Sequence, residues 1–277
     1  MPGHHIARRR IAAAIVVLSL PALVLACGGG GDDEPVPASV AGDGEFAPRN
    51  FGPPGRGANQ WLPLKPGTQW VREGQVNVGH RRVSHRVVST VTDVSKVVGG
   101  VRTVGVLDQD FNGGQIAEQS VDWFAEDKQG NIWDLGSYTE SYEGGQFVNA
   151  SDARLAGSDG EDAEIVMLAN PRPGDEWFEA VAVKTRQRKC VPFNCYTDVL
   201  VIEEGGSEVK YWAPGVGQIK TEPQSGDKQE VEALVNLTRL GPQALAAISA
   251  EVLKLDRHAR AEAADVFGRA PPAKRTL

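Results

Sequence analysis

Between Trp61 and Leu240 the chain is cut by turn signals at short intervals, and no helical period runs between them. Pro66-Gly67, Gly99-Gly100, Asn112-Gly113, Gly144-Gly145, Gly205-Gly206 and Pro214-Gly215 separate runs rich in Val, Ile, Thr and aromatic residues. With no helical period between the turns, these runs read as strands joined by tight turns in an antiparallel meander. Strands are expected over Gln69 to Val78, Val83 to Val94, Val101 to Asp108, Gln115 to Glu126, Gln146 to Asn149, Glu176 to Arg188, Tyr196 to Glu203, Val209 to Trp212, Gly217 to Glu222 and Glu230 to Leu240. Ser151 to Glu164 is acidic and holds Gly157 and Gly160, which predicts an exposed loop.

The sharpest hairpin signal is SVDWFAEDKQGNIWDLG, Ser120 to Gly136, where two apolar runs flank DKQGN. A turn centred on Gln129 and Gly130 sets Phe124 opposite Leu135 and Glu126 opposite Trp133. The other face then carries Val121, Trp123, Ala125 and Ile132. Neither face reads as solvated, so the sheet needs cover on both faces or a ligand on one.

The chain ends in a different pattern. Pro242 opens a stretch in which Leu245, Ile248, Val252, Leu255, Ala259 and Val266 recur at three- and four-residue steps, opposite Glu251, Lys254 and Arg257. One amphipathic helix over residues 241–268 is expected to lie on the sheet; a coiled-coil or partner-binding helix is the competing reading. Pro271-Pro272 stops it, leaving residues 269–277 as a disordered tail.

The N-terminus is an address. Arg8, Arg9 and Arg10 precede an uncharged apolar stretch from Ile11 to Ala26, the pattern of a signal peptide over residues 1–26. As a helix that stretch reaches only about 24 Å, short of the roughly 30 Å hydrocarbon core. It closes on Val24-Leu25-Ala26-Cys27, which resembles a bacterial lipobox, although Leu25 stands where a small residue is usual. The resemblance implies cleavage before Cys27 and acylation of its thiol and new amino terminus, and two or three acyl chains suffice for stable anchoring. The arginine triplet leaves the Sec and twin-arginine export routes both open. Gly, Pro and acidic residues dominate from Gly28 to Asn59, so residues 27–60 read as a flexible, lipid-anchored leash.

Two further phrases carry a family resemblance. LPLKPGTQWVREG (Leu62 to Gly74) and YWAPGVGQIKTE (Tyr211 to Glu222) resemble the opening and closing signatures of bacterial envelope lipoproteins of unknown function. The resemblance implies a curved antiparallel sheet, broadly similar to the half-barrels of lipoprotein carriers, and brings no activity with it.

Net charge is −7 over 277 residues, and more negative once the arginine triplet is removed, which gives no electrostatic reason to bind nucleic acid. Cys190 and Cys195 lie in CVPFNC with no second Cys or His pair at zinc-finger spacing, so in an oxidising compartment they read as a disulfide loop, with two free thiols as the alternative. Asp108-Gln109-Asp110-Phe111-Asn112-Gly113 resembles the start of a calcium loop, but Gln115 and Gln119 break the pattern and a hairpin turn at Asn112-Gly113 explains the same residues. His80-Arg81-Arg82 with His85-Arg86 is the densest basic patch outside the signal segment, read as a solvated strand edge in preference to an anion site. Asn149 and Asn236 head glycosylation sequons. No nucleophile elbow, zinc-protease helix or P-loop occurs.

These readings predict an extracytoplasmic lipoprotein with a mainly β domain over residues 61–240, no cofactor and no metal. Its expected function is non-enzymatic binding of an apolar or amphipathic molecule by the curved sheet. The alternative is a structural or protein-interaction module of the envelope with no small-molecule ligand.

Overall fold

A computed structural model describes residues 46–158, 162–227 and 229–276. The signal segment, Cys27 and the first part of the leash lie outside these residues. The strands are β1 (Thr68–Val78), β2 (Arg81–Val91), β3 (Val94–Ser95), β4 (Val97–Val98), β5 (Val101–Arg102), β6 (Val104–Asn112), β7 (Gln115–Glu126), β8 (Ile132–Glu143) and β9 (Gln146–Leu155). They continue as β10 (Glu164–Met167), β11 (Glu176–Trp177), β12 (Ala180–Cys190), β13 (Cys195–Glu204), β14 (Glu208–Ala213), β15 (Gly217–Pro223) and β16 (Val231–Arg239). Helices α1 (Pro242–Glu262) and α2 (Ala264–Phe267) and strand β17 (Lys274–Arg275) close the chain.

The fold is mainly β, as the turn spacing predicts. One antiparallel sheet runs in the order β10-β8-β7-β6-β2-β1-β16-β15-β14-β13-β12-β11, with β9 added on β8. Most neighbours are consecutive hairpins; the long-range joint is β1 against β16. The two ends of the sheet approach one another, where the Trp177 indole N–H donates to the Val166 carbonyl at 3.0 Å, but no ladder joins β10 to β11 and the sheet is not closed.

The central hairpin differs from expectation by one residue. Glu126 faces Ile132 and Ala125 faces Trp133, so Ile132 and Trp133 exchange faces relative to the predicted register. The cause is Asp127, whose backbone N–H donates to the Asn131 carbonyl across a three-residue loop. Its carboxylate accepts from Gln129 N, Asn131 N, Asn131 Nδ2 and the Trp133 indole at 2.8–3.0 Å. A bulge between Asp122 and Phe124 absorbs the slip, so that Val121 faces Tyr138 beyond it.

Other expectations also change. β9 runs to Leu155, pairing Ala153 with Tyr138, so the predicted loop over residues 151–164 loses its first third to the sheet. The folded part begins before Trp61: Phe46 and Phe51 pack on the Trp133 ring at 6.0 and 5.8 Å between centroids, and the Asn59 side chain caps Trp61 N and Leu62 N. The tail beyond residue 268 does not hang loose, since β17 pairs with β3 and Arg275 forms a bidentate ion pair with Asp93.

Helix α1 starts at Pro242 behind the extended Gly241 and buries Ser249, Val252, Leu255, Asp256 and Ala259. It lies across β3 and β6 to β9, as its apolar stripe predicts. It covers the face that carries Leu107, Val121 and Tyr138, which are matched across β6, β7 and β8. Trp123 and Tyr138 are fully buried there, with the Phe267 ring 5.8 Å from Tyr138.

Cys190 and Cys195 form a disulfide at the tip of the β12–β13 hairpin. Beside it, Phe193 N–H donates to the Leu234 carbonyl at 3.1 Å, drawing the tip onto β16. A loop this short restrains the unfolded chain by about 2 kcal/mol. Reduction should therefore lower the free energy of urea unfolding by that modest amount and leave far-ultraviolet circular dichroism unchanged; loss of the sheet signal on reduction would show that the tip organises the fold.

Candidate functional site

Because side chains alternate along a strand, the face opposite α1 carries the intervening residues. On β6 these are Asp108 and Asp110; on β7 they are Glu118, Ser120 and Asp122. The register matches Ser89 with Asp108 and Asp108 with Ser120, and it matches Val87 with Asp110 and Asp110 with Glu118. On the far side of β1, Glu232 of β16 faces Thr221, and Thr221 faces Lys210.

Residues of β7 and of β14 line one cavity of about 290 Å³. Six interstrand steps separate those strands in the sheet order, which would be about 29 Å across a flat sheet. The sheet is therefore curled, with this face on its concave side. The cavity wall holds six carboxyl groups, Asp108, Asp110, Glu118, Glu208, Glu230 and Glu232, against two cations, Arg72 and Lys210.

Both cations are engaged by the wall. Arg72 Nε donates to Glu232 Oε1 at 2.8 Å and Nη2 to Ser89 Oγ at 3.0 Å, all three residues being buried. Lys210 Nζ sits 2.9 Å from Glu204 Oε1 and 3.6 Å from Glu208 Oε2. Thr221 Oγ1 and Gln218 Nε2 also donate to Glu232 Oε1, which leaves Glu232 Oε2 buried with no hydrogen bond among the described residues. Asp108 Oδ1 is in the same condition.

Burial raises the Asp108 carboxyl in spite of Arg72. Burial and then the Asp108 charge push Asp110 up to about 7, although His85 acts against the rise. Asp122 is held well above its ordinary value by burial and by the charges of Asp108 and Asp134. These are the marks of a site with more negative charge than the protein itself neutralises.

Beside Glu230 of the cavity wall stands His85, only 3% exposed, with its Nε2 3.5 Å from Glu230 Oε1. It lies on β2, which is paired on both sides, with β1 and β6. The basic patch is therefore not a strand edge, and His80, in the β1–β2 turn, is exposed and separate from His85. Across three strands the register runs His85, Gly74, Glu232. A Cβ on Gly74 would lie 1.7 Å from the Val231 carbonyl oxygen, so only glycine permits this close joint of β1 with β16. The bare backbone between them lets His85 and Glu232 lean together.

The calcium-like motif resolves as a hairpin with its two-residue turn at Gly113-Gly114, one position later than expected. Asp108 and Asp110 are on a strand, not in a loop, and face the cavity. Trp123 and Trp133, whose surroundings suggested an apolar ligand, are covered by the protein's own side chains. Cys27 lies outside the described residues, and Cys190 and Cys195 take no part in the cavity. Arg72, His85, Glu230 and Glu232 were not singled out as a site from the sequence; the available signal was polar residues at alternate positions in strands.

No protein-family model matches the chain, and no curated protein does. Among solved structures, the chain is similar to a putative lipoprotein from Parabacteroides distasonis, with 15% identity over 64% of this chain and 97% of that one and a TM-score of 0.29. No described helix is long and apolar enough to cross a membrane.

Proposed function

We propose that this chain is a cell-envelope lipoprotein, held outside the cytoplasm by acyl chains on Cys27, whose curled sheet binds a small cationic ligand without catalysing a reaction. The observation that supports the ligand class is the carboxyl-rich wall of the concave cavity, whose two cations are already paired. An amine-bearing molecule would replace the missing positive charge and meet the buried carboxylate oxygens with charge-assisted hydrogen bonds. The apolar ligand expected from the sequence loses its motive, because the tryptophan-rich surfaces are already covered. The support for the anchor is the run of signal segment, lipobox and leash in the sequence.

Calorimetric titration of the full chain in detergent with putrescine and, separately, with oleate tests the ligand class. Putrescine should bind and oleate should not, with Glu118→Gln weakening the amine by about tenfold, the value of one charged hydrogen bond. Oleate binding in the absence of amine binding would overturn the reading. Cys27→Ala should leave the protein unprocessed by the lipoprotein pathway and without acyl mass; a variant that still carries acyl chains would exclude Cys27 as the anchor.

A further inference from the structure

His85, Glu230 and Glu232 offer one nitrogen and two carboxylate oxygens that all lie within 4.8 Å of one another. The His85 Nε2 to Glu230 Oε1 distance is 3.5 Å. That is too long for a good hydrogen bond. It matches the roughly 3.3–3.5 Å edge of a tetrahedron built on metal–ligand bonds of about 2.0–2.1 Å.

The groups behind these atoms are arranged as metal ligands require. His85 Nδ1 donates to Asn112 Oδ1 at 2.8 Å, which fixes the ring with Nε2 toward Glu230. Glu232 is likewise fixed: Arg72, Thr221 and Gln218 all bind Oε1, and the buried Oε2 has no hydrogen bond among the described residues. Two second-sphere sets thus hold two of the three clustered groups, His85 and Glu232, whose Nε2 and Oε2 are buried with no hydrogen bond among the described residues. Gly74 lies between the two in the register, with no side chain to intervene.

We infer that His85 Nε2, Glu230 and Glu232 Oε2 bind a divalent first-row transition metal, with the remaining coordination positions open toward the concave cavity. The imidazole selects against calcium and magnesium, which prefer all-oxygen sets, and the mixed nitrogen and carboxylate set suits zinc, cobalt or manganese. When the ion enters, the imidazolium form of His85 gives up its Nε2 proton to solvent while Nδ1–H stays on Asn112. This inference deepens the cationic reading of the cavity and rests on it.

The test is titration of chelator-stripped full-length protein with Co²⁺, read by the visible absorption of the bound ion and by the imidazole proton resonances, with Zn²⁺ as competitor. One equivalent should bind and shift the resonances of a single histidine. His85→Gln should weaken binding by about 100-fold and Asn112→Leu by about tenfold, the range set by ligand orientation. His258→Ala, which removes the histidine paired with Glu140 on the α1 side, should leave the affinity unchanged. Circular dichroism of the His85 variant separates loss of the site from loss of the fold; if it fails to fold, the Asn112 variant and the wild-type resonances still decide.

Absence of Co²⁺ binding to the wild type, or equal binding by the wild type and either His85→Gln or Asn112→Leu, overturns the metal site. Putrescine binding without Co²⁺ binding removes the metal and spares the cavity reading, whereas failure of both removes both.

Discussion

Lys96→Met should cost about 3–5 kcal/mol of stability, the penalty for leaving a buried charge without its partner. Lys96 is 1% exposed, and its Nζ donates to Asp256 Oδ1 at 2.7 Å and to the Pro271 carbonyl at 2.9 Å. The ammonium also lies 5.9 Å from the Trp123 ring centroid and 5.4 Å from that of Phe267. Asp256, 2% exposed, holds Ala273 N with its second oxygen. One lysine therefore ties together the sheet, α1, α2 and the C-terminal strap. Methionine fills much the same volume but strands the Asp256 carboxylate. The melting temperature should fall by roughly 6–20 °C for a domain of this size. Lys96→Met combined with Asp256→Asn removes both charges and keeps an acceptor for Ala273, so it should recover most of the loss. Equal destabilisation of the single and double variants would show that packing around Lys96, rather than the stranded charge, sets the cost.

The strand segments were legible because glycine-rich turns bound them: β7 occupies Gln115–Glu126, the span the sequence predicts. Register was less legible. The slip at the central hairpin depends on how the Asp127 carboxylate gathers four donors, a tertiary arrangement that hydrophobic alternation does not encode. The pairing of β1 with β16 was also hidden, since it joins residues far apart in sequence through a backbone contact that only Gly74 permits. The cavity suffered from both. The sequence marks Asp108 and Asp110 only as residues leading into a hairpin turn at Asn112-Gly113, and Arg81, Arg82 and Arg86 around His85 give it the look of a solvated strand edge. A strand separates neighbours onto opposite faces, so Arg86 is exposed where His85 is buried.

Arg72→Met should produce a loss of similar size, about 3–5 kcal/mol at pH 7.5, but one that shrinks on acidification. Arg72 is the cation at the centre of the buried part of the concave wall, bonded to Glu232 and close to Asp108 and Asp110. Burial works against its charge, yet the attraction of Glu232 and Asp108 outweighs this and raises its pKa. Removing it leaves carboxylates whose protonation is already favoured by the fold. Asp110 faces Asp108 on its own strand, His85 on β2, Glu118 on β7 and Glu230 ahead of β16, and titrates at about 7. A carboxyl with a folded pKa above its unfolded value contributes stability on the acid side, and that contribution is lost as pH rises toward the folded pKa. The window runs from the ordinary 3.8 up to about 7 for Asp110. Without the guanidinium, Asp108 and Asp110 are raised further, so the variant should go on losing stability as pH rises past the point where the Asp110 contribution of the wild type is spent. At pH 5, below the point at which Asp110 titrates, the two proteins should differ by less than at pH 7.5. Urea denaturation of both at the two pH values gives the comparison, and a pH-independent difference would mean that Arg72 acts through packing and not through the charge of the cavity.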